Sequence, residues 1–244
     1  MNLADMTTEE LTKELDVQAY KAKQLYKWIR RGETDINKMT DLPLSLREKL
    51  KTEYELSFPK VYMKFTSKLD ETVKYLIELS DGNIVETVLM SYEHGKSICV
   101  STQVGCRMGC AFCASTMDGL IRNLTPSEIE GQIRAVSADA NVRISNVVLM
   151  GIGEPLDNYD NVIKALSAIN NPDGLNIGYR HITLSTCGLT EGIKRLTKEN
   201  IPITLALSLH ATTDEERRMI MPAAKATTVK ELILLMDAYS SETG

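Results

Sequence analysis

Four strand-like runs alternating with helical patterns, beginning at residue 96, constrain this chain more than any other feature of its sequence. "KSICVST" (96–102), "ISNVVLM" (144–150), "RHITLST" (180–186) and "ITLALSL" (203–209) are nearly continuous apolar segments, as expected of strands buried on both faces. Residues at helical spacing follow each one. Ile129, Ile133 and Val136 come after a Thr125–Glu128 capping box; then Val162, Leu166 and Ile169; then Leu189, Ile193 and Leu196; then Val229, Leu232, Ile233 and Met236. Such alternation predicts a parallel sheet with right-handed crossovers, so residues 96–244 read as an α/β core. Four units are too few to close an eight-fold barrel. The expectation is a partial parallel (β/α) barrel, and the ending "SSETG", straight after an amphipathic helix, suggests a fragment of a longer chain.

Two different patterns precede the core. Residues 1–58 read as a helical accessory domain: a Thr7–Glu10 capping box, a helix through "QAYKAKQLYKWIRR" ending at Gly32, and a third helix opening at Pro43. Residues 59–95 read as a small β-hairpin region, with strands at 61–67, 72–79 and 83–90 and a turn at Asp81-Gly82. No apolar run approaches the roughly 18–20 residues that span a bilayer. The polar start "MNLADMTTEE" is neither a signal nor a transit peptide. The expected address is therefore the cytoplasm, with no membrane partner. A net charge of −5 gives no general attraction to nucleic acid. "YKAKQLYKWIRR" (20–31) holds five basic residues and no acidic one; it reads first as a solvated helix face and second as a phosphate contact.

Four of the five cysteines lie within residues 99–113: Cys99, then Cys106, Cys110 and Cys113 in the pattern C-x-x-x-C-x-x-C. In a reducing compartment such grouping suggests metal or catalysis. Structural zinc prefers two C-x-x-C knuckles or a histidine pair, whereas His94, His181 and His210 are scattered singly. Three thiolates on a glycine-bearing loop suit a four-iron, four-sulfide cluster with one open iron, and zinc with a distant fourth ligand is the alternative. In "GIGEPLDN" (151–158) the glycines permit close backbone approach to a ligand, and Glu154 offers a carboxylate to an ammonium group. On residues alone, Ser185 is a turn hydroxyl, His210 a strand-end histidine, Cys99 a buried strand residue and Cys187 a core-packing residue. Glu86 stands among apolar neighbours, where a carboxylate needs a reason to exist. Arg107, Met108 and Phe112 are placed to shield a cluster.

The cysteine spacing, after the first strand of an α/β repeat, resembles the signature of radical S-adenosylmethionine enzymes. With "GIGEPLDN", "LSTCG" (184–188) and "LALSLHA" (205–211), the chain is similar to the bacterial RNA adenine methyltransferases. These modify carbon 2 of an adenosine in 23S ribosomal RNA and, in many members, of one in transfer RNA. The resemblance implies a [4Fe-4S] cluster on Cys106, Cys110 and Cys113. It implies S-adenosylmethionine contacts from Gly153, Glu154, Ser185, Ser208, Leu209 and His210. It makes Glu86 a proton acceptor, and Cys99 the catalytic thiol that resolves a protein–RNA crosslink by disulfide exchange. It further implies an RNA-binding helical front end, a reducing donor such as flavodoxin, and a monomeric enzyme. The family's methyl-carrying cysteine lies near its C-terminus and has no counterpart up to Gly244, so these 244 residues are expected to transfer no methyl group by themselves. A radical enzyme acting on carbon 8 shares these motifs. A non-catalytic, zinc-stabilised RNA-binding module is the alternative from another class.

Overall fold

The computed structural model describes residues 1–243. The front end folds into helices α1 (Thr8–Leu15), α2 (Ala19–Arg30) and α3 (Leu44–Glu53). The first capping box is formed in full: Thr7 accepts the Glu10 N–H at 3.2 Å, and the Glu10 carboxylate accepts the Thr7 N–H at 2.9 Å. Leu11, Leu25, Ile29, Met39 and Leu50 bury one another in a small core of their own. Pro43 stands just ahead of α3 as its cap residue.

Strands β1 (Lys60–Thr66), β2 (Val73–Glu78) and β3 (Ile84–Tyr92) form an antiparallel meander, and β4 (Gly95–Cys99) pairs antiparallel with β3. The cysteine loop follows, flanked by a two-stranded ribbon of β5 (Gln103–Gly105) and β6 (Leu120–Asn123). The alternating part then runs α4 (Pro126–Ala140), β7 (Ile144–Leu149), α5 (Tyr159–Asn170), β8 (Ile182–Thr186), α6 (Thr190–Glu199), β9 (Thr204–Leu207), α7 (Asp214–Ile220) and α8 (Val229–Thr243). One seven-stranded sheet results, in the order β1-β2-β3-β4-β7-β8-β9. Its last four strands are parallel, and the barrel stays open. The meander is thus an antiparallel extension of the core sheet, joined to it through β3 and β4.

Ile129, Ile133 and Val136 of α4, Val162, Leu166 and Ile169 of α5, and Ile193 and Leu196 of α6 pack with Ile98, Val147, Leu149, Ile182 and Leu184 in one core. The α8 face differs from the expected one. Leu232 and Tyr239 are buried while Ile233 is exposed, because the Tyr239 hydroxyl reaches the Ile203 carbonyl at 2.8 Å and sets the helix's rotation. The first predicted strand also ends early. After Cys99 the chain leaves the sheet and runs beside the turn that follows β7, with Thr102 N–H donating to the Ile152 carbonyl at 2.8 Å. That departure carries the cysteine loop over the sheet's edge.

Helix α2 is fastened to α4 by a buried charged group. The Glu130 carboxylate accepts from both Arg30 and Arg134, and Arg30 also donates to the Ala4 carbonyl at 2.6 Å. Arg30 and Glu130 are almost wholly excluded from solvent.

Candidate cofactor cleft

The carboxyl ends of β7, β8 and β9 and the cysteine loop enclose a cleft of about 300 Å³. This is the edge at which open α/β sheets bind ligands. Cys106, Cys110, Cys113, Gly153, Glu154, Ser185, Ser208 and His210, spread in sequence from residue 106 to residue 210, all line it.

The cysteine loop is held from several sides. Cys106 N–H donates to the Gly119 carbonyl at 2.9 Å, Ala111 N–H donates to the Ile220 carbonyl at 2.8 Å, and the Thr116 hydroxyl donates to the Cys113 carbonyl at 3.0 Å. Gly105 is required at the loop's start. Its φ is +73°, and a Cβ there would lie 2.0 Å from the Gly119 oxygen. Burial pushes the Cys106 and Cys110 thiols above their ordinary range, and the neighbouring thiols and Glu154 add to the shift. Among the described residues no trio of His, Cys, Asp or Glu side chains is gathered tightly enough for one metal ion; the three thiols are spread along the cleft wall.

Glu154 is 4% exposed. Its carboxylate accepts the Cys187 N–H at 2.8 Å and the Leu156 N–H at 3.2 Å. Among the described residues it has no salt-bridge partner, and burial raises its pKa. The Ser185 and Ser208 hydroxyls lie 2.9 Å apart. The His210 ring, on a residue with φ +58°, lies 4.5 Å from Phe112, centroid to centroid. Leu209 lies between Ser208 and His210 but outside the cleft lining, its carbonyl accepting from Arg217 at 3.2 Å.

Several residues stand apart from their sequence reading. Gly153 does more than admit a ligand: its φ is +106°, and an added Cβ would meet the Gln103 Cβ at 2.6 Å. Gly153→Ala is therefore expected to cost about 1–3 kcal/mol, as thermal unfolding would measure; an unchanged melting temperature would refute the packing argument. Arg107 does not cover the cleft. Its guanidinium is exposed and braces the loop through Asp157 at 2.5 to 3.1 Å, whereas Met108 and Phe112 do line the cleft. Cys187 packs against Met221 as a core residue, yet it also lines the cleft; burial and then the Glu154 charge push its thiol far up.

Cys99 and Glu86 lie outside the cleft lining. Cys99 is half-buried at the end of β4, and burial raises its pKa against an opposing contact from the Met150 amide. Glu86 is not enclosed by apolar neighbours. Strand alternation turns Val85, Thr87 and Leu89 inward and Glu86 outward, where Lys74 meets its carboxylate at 2.9 Å. All five cysteines are free thiols, so the disulfide implied for Cys99 is not formed.

Sequence reasoning missed Arg217 of α7. It is 1% exposed, donates to the Cys187 and Leu209 carbonyls, and so ties the ends of β8 and β9 together beside the cleft. The available signal was Thr213 three residues ahead of Glu216, which caps this short charged helix.

The donor set fits an iron–sulfur cluster. Three thiols and a buried carboxylate line a cleft that no lysine or arginine lines, and metal would supply positive charge there while deprotonating coordinated thiols. Residues 100–242 match the Radical SAM superfamily, and residues 1–56 match the ribosomal RNA large subunit methyltransferase N-terminal domain. Over its whole length the chain is 50% identical to the "Probable dual-specificity RNA methyltransferase RlmN" of Clostridium acetobutylicum and spans 71% of that protein. It is 52% identical, over 99% of its length, to the protein of the same name from Clostridium botulinum, again spanning 71%. Among solved structures, a radical SAM methyltransferase from Sphaerobacter thermophilus superposes with a TM-score of 0.88 at 39% identity, with 100% of this chain and 74% of that one covered. A sheet edge furnished with these thiols and this carboxylate, in a chain matched along its whole length, makes the protein a member of the radical SAM superfamily and, within it, of the RlmN family of RNA methyltransferases.

Proposed function

We propose that the protein methylates carbon 2 of a specific adenosine in 23S ribosomal RNA and in transfer RNA, using S-adenosylmethionine and a [4Fe-4S] cluster. One observation carries this reading: three thiols, a buried carboxylate and a pair of hydroxyls converge in a single cleft of a chain half identical to dual-specificity RNA methyltransferases. Carbon 2 of adenine is electron-poor and is no nucleophile, so transfer straight from a sulfonium methyl is unsuited to it. The cluster and S-adenosylmethionine together supply radical chemistry, which does not need a nucleophilic carbon.

In this reading Cys106, Cys110 and Cys113 hold the cluster. Glu154, fixed by the Cys187 and Leu156 amides, faces the ammonium group of S-adenosylmethionine, and Ser185 and Ser208 offer hydroxyls to its polar atoms. Gly153, Leu209 and His210 shape the cradle from the backbone side, with Phe112 and Met108 excluding water. Cys99 at the end of β4 is the catalytic thiol next to the cleft, and Glu86 on the neighbouring strand accepts the proton released from the base. The helical residues 1–58 contact RNA, the meander of residues 59–95 links them to the core of residues 96–244, and a donor such as reduced flavodoxin delivers the electron. No helix among the described residues is long and apolar enough to cross a membrane, and in this reading the enzyme acts as a monomer in the cytoplasm, where ribosomal and transfer RNA are its substrates.

The test is anaerobic reconstitution with iron and sulfide, followed by reduction in the presence of S-adenosylmethionine and RNA. The expected products are 5′-deoxyadenosine and, where a segment bearing the family's methyl-carrying cysteine is also supplied, an adenosine methylated at carbon 2, identified by mass analysis of nucleosides against standards methylated at carbons 2 and 8. Methylation at carbon 8 would overturn the position, and an absence of reductive cleavage would overturn the chemistry.

A further inference from the structure

Arg217 is a buried charge without an ionic partner. It is 1% exposed. Among the described residues its guanidinium donates to two main-chain carbonyls, those of Cys187 and Leu209, and forms no salt bridge. Excluding a guanidinium from water costs free energy unless its donors are well satisfied, and a methionine or leucine would fill a similar volume with no charge to desolvate. Packing alone therefore does not account for an arginine at this place.

Its position in the fold does. The ladder between β8 and β9 ends with the pair Thr186 and Leu207. Beyond it both segments turn sharply, Gly188 with φ +99° and His210 with φ +58°. The two carbonyls that Arg217 holds lie at these turns. Nε and Nη2 share one edge of the planar guanidinium, a rigid fork that lysine does not reproduce, and they join the segments where strand pairing has stopped. Cys187 is thereby held on both sides: its carbonyl accepts from Arg217, and its N–H donates to the Glu154 carboxylate at 2.8 Å. The end of α7 also reaches the cysteine loop. The Ile220 carbonyl accepts the Ala111 N–H at 2.8 Å, and Met221 packs with Cys187, Met108 and Cys110.

Arg217 does not line the cleft, so any part it plays there is exerted through a neighbour. Two amides fix the Glu154 carboxylate. The Leu156 N–H belongs to the turn that carries Glu154 itself, whereas the Cys187 N–H comes from the end of the neighbouring strand. A contact of the second kind fixes the carboxylate relative to the facing wall of the cleft. We infer that Arg217 is a positioning residue for cofactor binding: by clamping Cys187 it holds the amide that aims Glu154 at the ammonium group of S-adenosylmethionine. The inference rests on the reading of this cleft as an S-adenosylmethionine site.

Its test is a double-variant cycle on the reconstituted protein, read by calorimetric titration with S-adenosylmethionine. Arg217→Met should weaken binding about tenfold, the scale of one misplaced hydrogen bond to a charged group. Glu154→Gln keeps an oxygen for the Cys187 N–H but removes the charge that attracts an ammonium group. In that background Arg217→Met should cause no further loss, because the carboxylate it acts through is gone. Iron should stay at about four per chain in each variant. Losses of equal size in both backgrounds would mark a merely structural role and overturn the inference, as would unchanged affinity in Arg217→Met. Iron lost from Arg217→Met would assign the residue to the cysteine loop and overturn it too. Should Arg217→Met fail to fold, Arg217→Lys takes its place in the cycle, keeping the charge but not the fork. Its loss should likewise vanish in the Glu154→Gln background, and equal losses would overturn the inference. Any of these results leaves the function standing. Failure of the wild type to bind S-adenosylmethionine would overturn both.

Discussion

Replacing Cys106, Cys110 or Cys113 with alanine, one at a time, should abolish assembly of the iron–sulfur cluster. A cluster held by three thiolates with one iron left open has no ligand to spare. Cys187→Ala is the informative control, since Cys187 lines the same cleft and is as buried as Cys106. Two features argue against Cys187 as a ligand: its thiol lies against the Glu154 carboxylate, which with burial disfavours the thiolate, and its backbone already serves Glu154 and Arg217. Cys187→Ala should therefore keep the brown chromophore and about four irons per chain. Iron and sulfide retained in any of the three single variants would refute the ligand assignment. So would colourless protein carrying one zinc.

Glu130→Leu should be the most damaging single change outside the cleft. It would leave Arg30 buried between the helical front end and α4 with its guanidinium charge unpaired. Breaking a buried pair in this way costs about 3–5 kcal/mol. Urea unfolding should show that loss. The double variant Arg30→Met with Glu130→Leu should recover much of it, because apolar side chains of similar volume replace the pair without a stranded charge. A Glu130→Leu midpoint within experimental scatter of the wild type would mean that water reaches Arg30 and that the junction is looser than the structure has it.

Much of the fold was legible locally. Both capping boxes, Thr7 with Glu10 and Thr125 with Glu128, formed as the spacing predicted, because a cap depends on residues three apart. The four parallel strands and their helices followed from apolar period, which reports which face each element buries. The cysteine group announced metal chemistry by residue type alone. The cofactor roles of Glu154, Ser185 and Ser208 came from resemblance and not from their local pattern, which is that of ordinary turns and strand ends.

What the chain's pattern determined by itself was the order of elements, their inward faces and the presence of a thiol-rich loop at a strand end. Only the tertiary structure decided the rest. Pairing of β3 with β4 made the meander part of the core sheet. The same pairing left Glu86 facing solvent beside Lys74, although its apolar neighbours in sequence suggested enclosure. Arg217 closed on the carbonyls of Cys187 and Leu209, 30 and 8 residues away, and Arg30 met Glu130 across 100 residues. The physical reason is range. Caps and periodicity are settled by neighbours within a turn or a strand, whereas a buried charge or a strand register is settled by partners that only the folded chain brings into contact.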